Sequence, residues 1–95
     1  SEKSKQLFFS LVATFHATAM QQMGKIKNPL TDKIERNLEQ AQMSIDILDM
    51  LEAKTKGNLD TEEERLLKSV LQELKLNYVD EVAREQQSQS QAQSS

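Results

Sequence analysis

Apolar side chains recur in three places at three- and four-residue steps, the spacing that stacks successive turns of an α-helix on one face. The first run predicts a helix over about residues 5–23, with Phe8, Val12, Phe15, Ala19 and Met23 on one face and Leu11 beside them. Gly24 suits the left-handed position just past a helix end, and Pro29 blocks a simple continuation. The second run predicts a helix over about 37–56. Leu38, Ala41, Ile45 and Leu48 share one face, while Met43, Ile47 and Met50 make a second stripe roughly opposite. Its start has two candidates, because Asp32 with Glu35 and Asn37 with Gln40 both have capping-box spacing. Lys54 and Lys56 near its end complement the negative pole of the helix dipole, with Gly57 as the cap.

The third helix, over about 61–84, opens on Asp60-Thr61-Glu62-Glu63, which supplies an N-cap, a capping-box glutamate and acids in the first turn. Leu67, Val70, Leu71, Leu74, Tyr78 and Val82 form its apolar face. Near Arg84 the pattern stops. Residues 86–95 read QQSQSQAQSS, which cannot bury enough apolar surface to offset ordering, so 85–95 is expected to be a disordered Gln/Ser-rich tail. Residues 1–4 are expected to be an N-terminal extension. Strand signals are nearly missing. The expected fold is all-α: a three-helix bundle, or an antiparallel helical hairpin plus an N-terminal helix, assembled as a homo-oligomer. The short link at Gly57–Leu59 favours antiparallel packing of the second and third helices.

The expectation of a homo-oligomer comes from charge. Gln6 to Gly24 contains no charged residue, although the chain carries 12 basic and 15 acidic side chains. A helix face turned to water normally carries Lys or Glu. On a helical wheel Phe9, Ala13 and Met20 widen the apolar face, and the remaining strip (Ser10, Thr14, Ala17, Thr18, Gln21) is small or weakly polar. Three helices cannot easily cover both this helix and the second stripe of its neighbour. The candidate oligomer interface is therefore Phe8, Phe9, Val12, Phe15, Ala19, Met20, Met23, Met43, Ile47 and Met50. The competing assignment makes the first helix the centre of a monomer.

Size and composition bound the rest. Ninety-five residues with 37% apolar content make one small domain, whose core benefits from self-association. The net charge of −3 and the lack of a dense Lys/Arg block give no footprint for direct nucleic-acid binding. Seven polar residues in the nineteen-residue uncharged segment are too many for a membrane span, and no Lys or Arg lines it for an interfacial helix. No secretory leader is visible, so a cytoplasmic location is expected. With no cysteine, neither disulfides nor thiolate metal sites are available.

Catalytic chemistry finds little support. His16 is the only histidine, so a hydrogen-bonded structural role outweighs a catalytic one. Asp46, Asp49 and Glu52 at three-residue steps read as a solvated face, because bundle metal sites use Glu-x-x-His pairs from several helices. Two glycines leave no phosphate loop, and no hydroxyl has an activating base in a recognised motif. No enzyme, cofactor or metal is expected.

Residues 43–79 resemble a bacterial family known as domain of unknown function 1844. The residues concerned are Ile45-Asp46, Leu48, Met50-Leu51, the run Lys54-Thr55-Lys56-Gly57-Asn58-Leu59, then Glu62 to Glu64, Leu71, Leu74 and Tyr78-Val79. A weaker match around Leu11, Ala19, Gly24 and Pro29 extends it to roughly 7–80. The most specific part joins a capped helix end to a capped helix start through Lys54, Lys56, Gly57, Asn58, Asp60 and Glu63. The resemblance implies a small, soluble, cytoplasmic, all-helical bacterial protein with no assigned activity, cofactor or catalytic residue. Turn residues common in relatives near 31–36 favour Asn37 as the second N-cap. That leaves a first connection of about a dozen residues, long enough to be a mobile or functional element. Relatives encoded near translation genes imply a ribosome-related role. The expected function is a homo-oligomeric protein–protein interaction module, whose partners are a second copy (a homodimer or higher assembly) and an unidentified protein. The alternatives are an accessory factor of the translation apparatus or another protein, and a carrier of a small apolar ligand between Phe and Met side chains.

Overall fold

Three helices pack against one another in the computed structural model, which describes residues 1–94: α1 (Glu2–Gln22), α2 (Leu38–Lys54) and α3 (Thr61–Ser94). Asn37, not Asp32, caps α2. Its extended backbone turns the side chain onto the Gln40 N–H at 3.1 Å. Asp32 instead takes a left-handed turn conformation with φ 57°. At the start of α3 Asp60 and Glu63 exchange hydrogen bonds, each carboxylate accepting from the other's backbone N–H at 2.8 Å.

Both ends of the chain depart from expectation. Residues 1–4 are no extension, because α1 begins at Glu2 with the Ser1 hydroxyl accepting from the Ser4 N–H. The expected disordered tail is helical as far as Ser94, and Ser95 lies outside the described residues. The apolar pattern near Arg84 marks the end of packing, not of the helix. Elongating a nucleated helix adds one hydrogen bond per residue, and Glu, Gln, Arg and Ala are good helix formers. At 1.5 Å per residue the 34-residue α3 is about 51 Å long, most of the molecule's 58 Å extent.

The core is a layer where the three faces meet: Val12, Ala19 and Met23 from α1 and its end, Ala41, Ile45 and Leu48 from α2, and Leu67, Val70, Leu71 and Leu74 from α3. Phe8, Phe15, Met20, Leu51, Leu59 and Tyr78 seal its margin. Packing is antiparallel on both flanks of α2. Ser44 donates to the Gln22 side chain at the end of α1, while Asp49 pairs with Lys75 of α3. Three of the candidate interface residues, Val12, Ala19 and Met23, are therefore wholly buried within the chain itself and unavailable to a second copy.

Candidate interaction surface

Two connections and the outer face of α1 and α2 hold most of the features that the bundle itself does not require; Leu76 and Val79 are also exposed, on α3. The connection after α1 opens with Gly24 at φ +82°, as its position predicts. The Gly24 N–H donates to Gln21 O and the Lys25 N–H to Met20 O, the paired bonds of a Schellman ending. The chain then folds into a hook. Asn28 and Lys33 bridge in antiparallel fashion, and the Asn28 side chain accepts from the Leu30 N–H. Glu35 accepts from both the Asn28 amide and the Thr31 hydroxyl. The connection expected to be mobile or functional is thus internally hydrogen-bonded. It also presents Leu30 at 93% exposure, with Ile26 and Ile34 also exposed.

The hook is clamped to α3 through Glu81, a carboxylate only 5% exposed. Lys25 Nζ lies 2.6 Å from it and Arg36 Nη2 3.3 Å, while Arg36 also donates to the Glu81 carbonyl. Burying an unpaired carboxylate would be costly; Lys25 and Arg36 answer it here, with Arg84 Nε of the same helix 3.8 Å away. Hydrogen bonding to Glu81, then Asp80, holds the Lys25 ammonium above its usual pKa. The Asp80 carboxyl is held below its usual value, chiefly by its bond from Lys25.

At the other end, Gly57 (φ +86°) reverses the chain between α2 and α3, and the Asn58 N–H donates to Thr55 O. Lys5 of α1 closes this end by pairing with Asp60 at 3.3 Å and Glu62 at 3.2 Å. Its ammonium lies 5.9 Å above the Phe9 ring, and its pKa is raised chiefly by the bond to Glu62. The acids at the start of α3 meet Lys5 and Lys68 in ion pairs, not Lys54 or Lys56. A cavity of about 350 Å³ lies under this turn, with Ala53, Leu59 and Leu67 as its apolar wall and Asp49, Glu52, Glu64, Lys56 and Lys68 around them. Neither this cavity nor three others among the described residues is lined by Phe or Met.

The outer face belongs to α1 and α2. Leu7 (61% exposed) and Leu11 (42%) stand on α1 in register with Thr14 and Thr18, without a charge among them. On α2, Met43 (61%) and Met50 (48%) point away from the core, and Ile47 is half-buried between them and the α1 side. Phe8, Phe15 and Met20 of the expected interface pack against the core, and Phe9 is half-buried beneath Lys5. Leu7 and Leu11 take their place on the open face. Their wheel positions, beyond Phe8 and Phe15 on the flank toward α2, were the available signal.

A family model described as Domain of unknown function (DUF1844) matches residues 5–80. The chain belongs to this family. The match spans all of α2, the hook and the capped turn before α3, so these features are part of the family domain. No curated protein and no solved structure matches the chain.

Gly57, Asn58, Asp60 and Glu63 build the reversal, while Lys54 and Lys56 project from it into solvent. The sequence reading missed the Lys25–Glu81–Arg36 clamp. A signal existed: Glu81 stands three residues after Tyr78 and seven after Leu74, a charged residue at a core register position. His16 Nε2 is buried and lies 3.3 Å from a Glu73 carboxylate oxygen of α3, but it makes no hydrogen bond among the described residues. Among the described residues no group of three or more His, Asp or Glu side chains is placed to hold a metal, and no helix is long and apolar enough to cross a membrane.

Proposed function

We propose that this family member is a protein–protein interaction module that self-associates through the outer face of α1 and α2, and that its role is binding, not catalysis. One observation carries this reading. The solvent side of α1 has no charge from Gln6 to Gln21 and exposes Leu7 and Leu11, while Met43 and Met50 are exposed on α2. Exposed apolar side chains grouped on an uncharged face mark interaction sites. Sedimentation equilibrium tests it, with a weight-average mass above 10.8 kDa expected at tens of micromolar protein. A clean monomer at high micromolar concentration overturns it. Met43→Glu should dissociate the assembly without unfolding the chain, because Met43 is 61% exposed, whereas Phe15→Asp should unfold it, because Phe15 packs on the core.

A second reading, an accessory factor bound to another protein, is favoured by the Leu30 hook. A leucine 93% exposed on a hydrogen-bonded turn is pre-organised to enter a partner's pocket. Affinity capture from the native organism, repeated with Leu30→Asp, tests that role. A partner retained equally by both forms would count against it.

A further inference from the structure

The outward stripe of α2 is complementary to itself when reversed. Along it stand Glu39, Met43, Ile47, Met50 and Lys54, spaced by three or four residues and lying within one side of the helical wheel. The midpoint between Asp46 and Ile47 lies 3.5 residues from both Met43 and Met50, and 7.5 residues from both Glu39 and Lys54. Glu39 and Lys54 are exposed, and neither makes an ion pair among the described residues.

We infer that two copies of this chain pair through an antiparallel α2–α2 seam, with the two-fold axis passing beside Asp46 and Ile47. This rests on the self-association proposed above and names its partner, surface and symmetry. In that arrangement Met43 meets the partner's Met50, Ile47 meets the partner's Ile47, and Glu39 reaches the partner's Lys54. A parallel pair would set Glu39 against the partner's Glu39 and Lys54 against the partner's Lys54. It would also align the two helix dipoles. A two-fold interface joins one patch to itself, so a stripe must be matched by its own reverse, and this one is. Asp46 stands on the flank toward α3, where the Gln42 side chain of its own helix holds its carboxylate. The core side of α2 is already filled by Ala41, Ile45 and Leu48, so the seam requires no unfolding of the bundle.

The chain lacks cysteine, which gives cross-linking a clean background. Under oxidation, a mixture of Met43→Cys and Met50→Cys chains should yield a disulfide-linked dimer, and Ile47→Cys should cross-link to itself. Met43→Cys alone should not. Two copies of residue 43 in this seam are offset by about 10 Å along the axis at 1.5 Å per residue, beyond the reach of a disulfide. Glu39→Lys should weaken association roughly tenfold by replacing two attractive contacts with repulsive ones, and adding Lys54→Glu to the same chain should restore it. Mass measurements separate the failures. A 10.8 kDa monomer throughout overturns both the seam and the self-association reading. A dimer in which Met43→Cys alone cross-links as well as the mixture overturns the seam and leaves self-association standing.

Discussion

Replacing Glu81 by Gln keeps the size of the side chain and removes the charge that ties the hook to α3. Breaking a fully buried ion pair from one side costs about 3–5 kcal/mol. Two features reduce that here. Lys25 and Arg36 keep 21% and 35% of their side-chain surface in water, so both can partly rehydrate. Arg36 also keeps its bond to the Glu81 carbonyl, which the substitution leaves in place. The expected loss is therefore about 2 kcal/mol, set chiefly by one cation at 2.6 Å and one at 3.3 Å, with a third at 3.8 Å, from a carboxylate that water barely reaches. For a domain of this size that lowers Tm by roughly 8–16 °C. Urea unfolding followed by circular dichroism measures the loss, and trypsin reports its location. Cleavage after Lys27 and Lys33 should accelerate before the rest of the chain becomes susceptible, because the hook loses its tie first. A Glu81→Gln protein within about 0.5 kcal/mol of the parent, with unchanged cleavage of the hook, would refute the clamp.

Three further outcomes follow from the geometry. Gly57→Ala should lose about 1 kcal/mol in urea unfolding, because φ is +86° and an added Cβ meets no atom within 4 Å, leaving backbone strain as the only penalty; an unchanged midpoint would refute this. Asp60, Glu64 and Asp80 are held below their ordinary values of 3.8, 4.5 and 3.8, by the Glu63 N–H, Lys68 and Lys25 respectively. Their contribution is complete above those values and lost as pH falls through the lower folded ones, so stability should fall on acidification below about pH 4.5. Lys5, Lys25 and Lys68, raised above 10.5 by carboxylate partners, contribute fully below that value and lose it only as pH rises beyond it. Thermal scans from pH 3 to 9 should therefore show an acid fall and a flat alkaline side, and a mirror-image profile would overturn the assignment. A stop after Glu85 should lower helicity yet leave Tm within about 2 °C, because Gln86 to Ser90 are exposed; a larger fall would mean the extension packs on the bundle.

Local chemistry made the inner helix boundaries readable, from the end of α1 to the start of α3. Asn37 and the Asp60–Glu63 pair act within three residues of themselves, and Gly24 and Gly57 answer a backbone demand that any helix end creates. The core faces of α2 and α3 followed from period alone, since Ala41, Ile45, Leu48, Leu67, Leu71 and Leu74 are buried where the wheel puts them. What spacing could not carry was choice among partners. An apolar face on α1 looks the same whether its own chain or a second copy covers it, so Val12, Ala19 and Met23 were assigned to an interface and lie in the core. Long-range ion pairs escaped for the same reason: Lys25 and Arg36 meet Glu81 across 56 and 45 positions. The open face, by contrast, was legible through Met43 and Met50, which are 61% and 48% exposed.

The long α3 gives this small protein the hydrodynamic bearing of a larger one. Its radius of gyration is 15.7 Å, where a compact chain of 95 residues would have about 12 Å. By the same scaling, 15.7 Å belongs to a globular chain of roughly twice the length. A single copy will therefore tumble and elute like a spherical dimer. Any partner in the cell meets not a ball but a bundle with a polar rod, one that sweeps a volume far larger than the mass behind it.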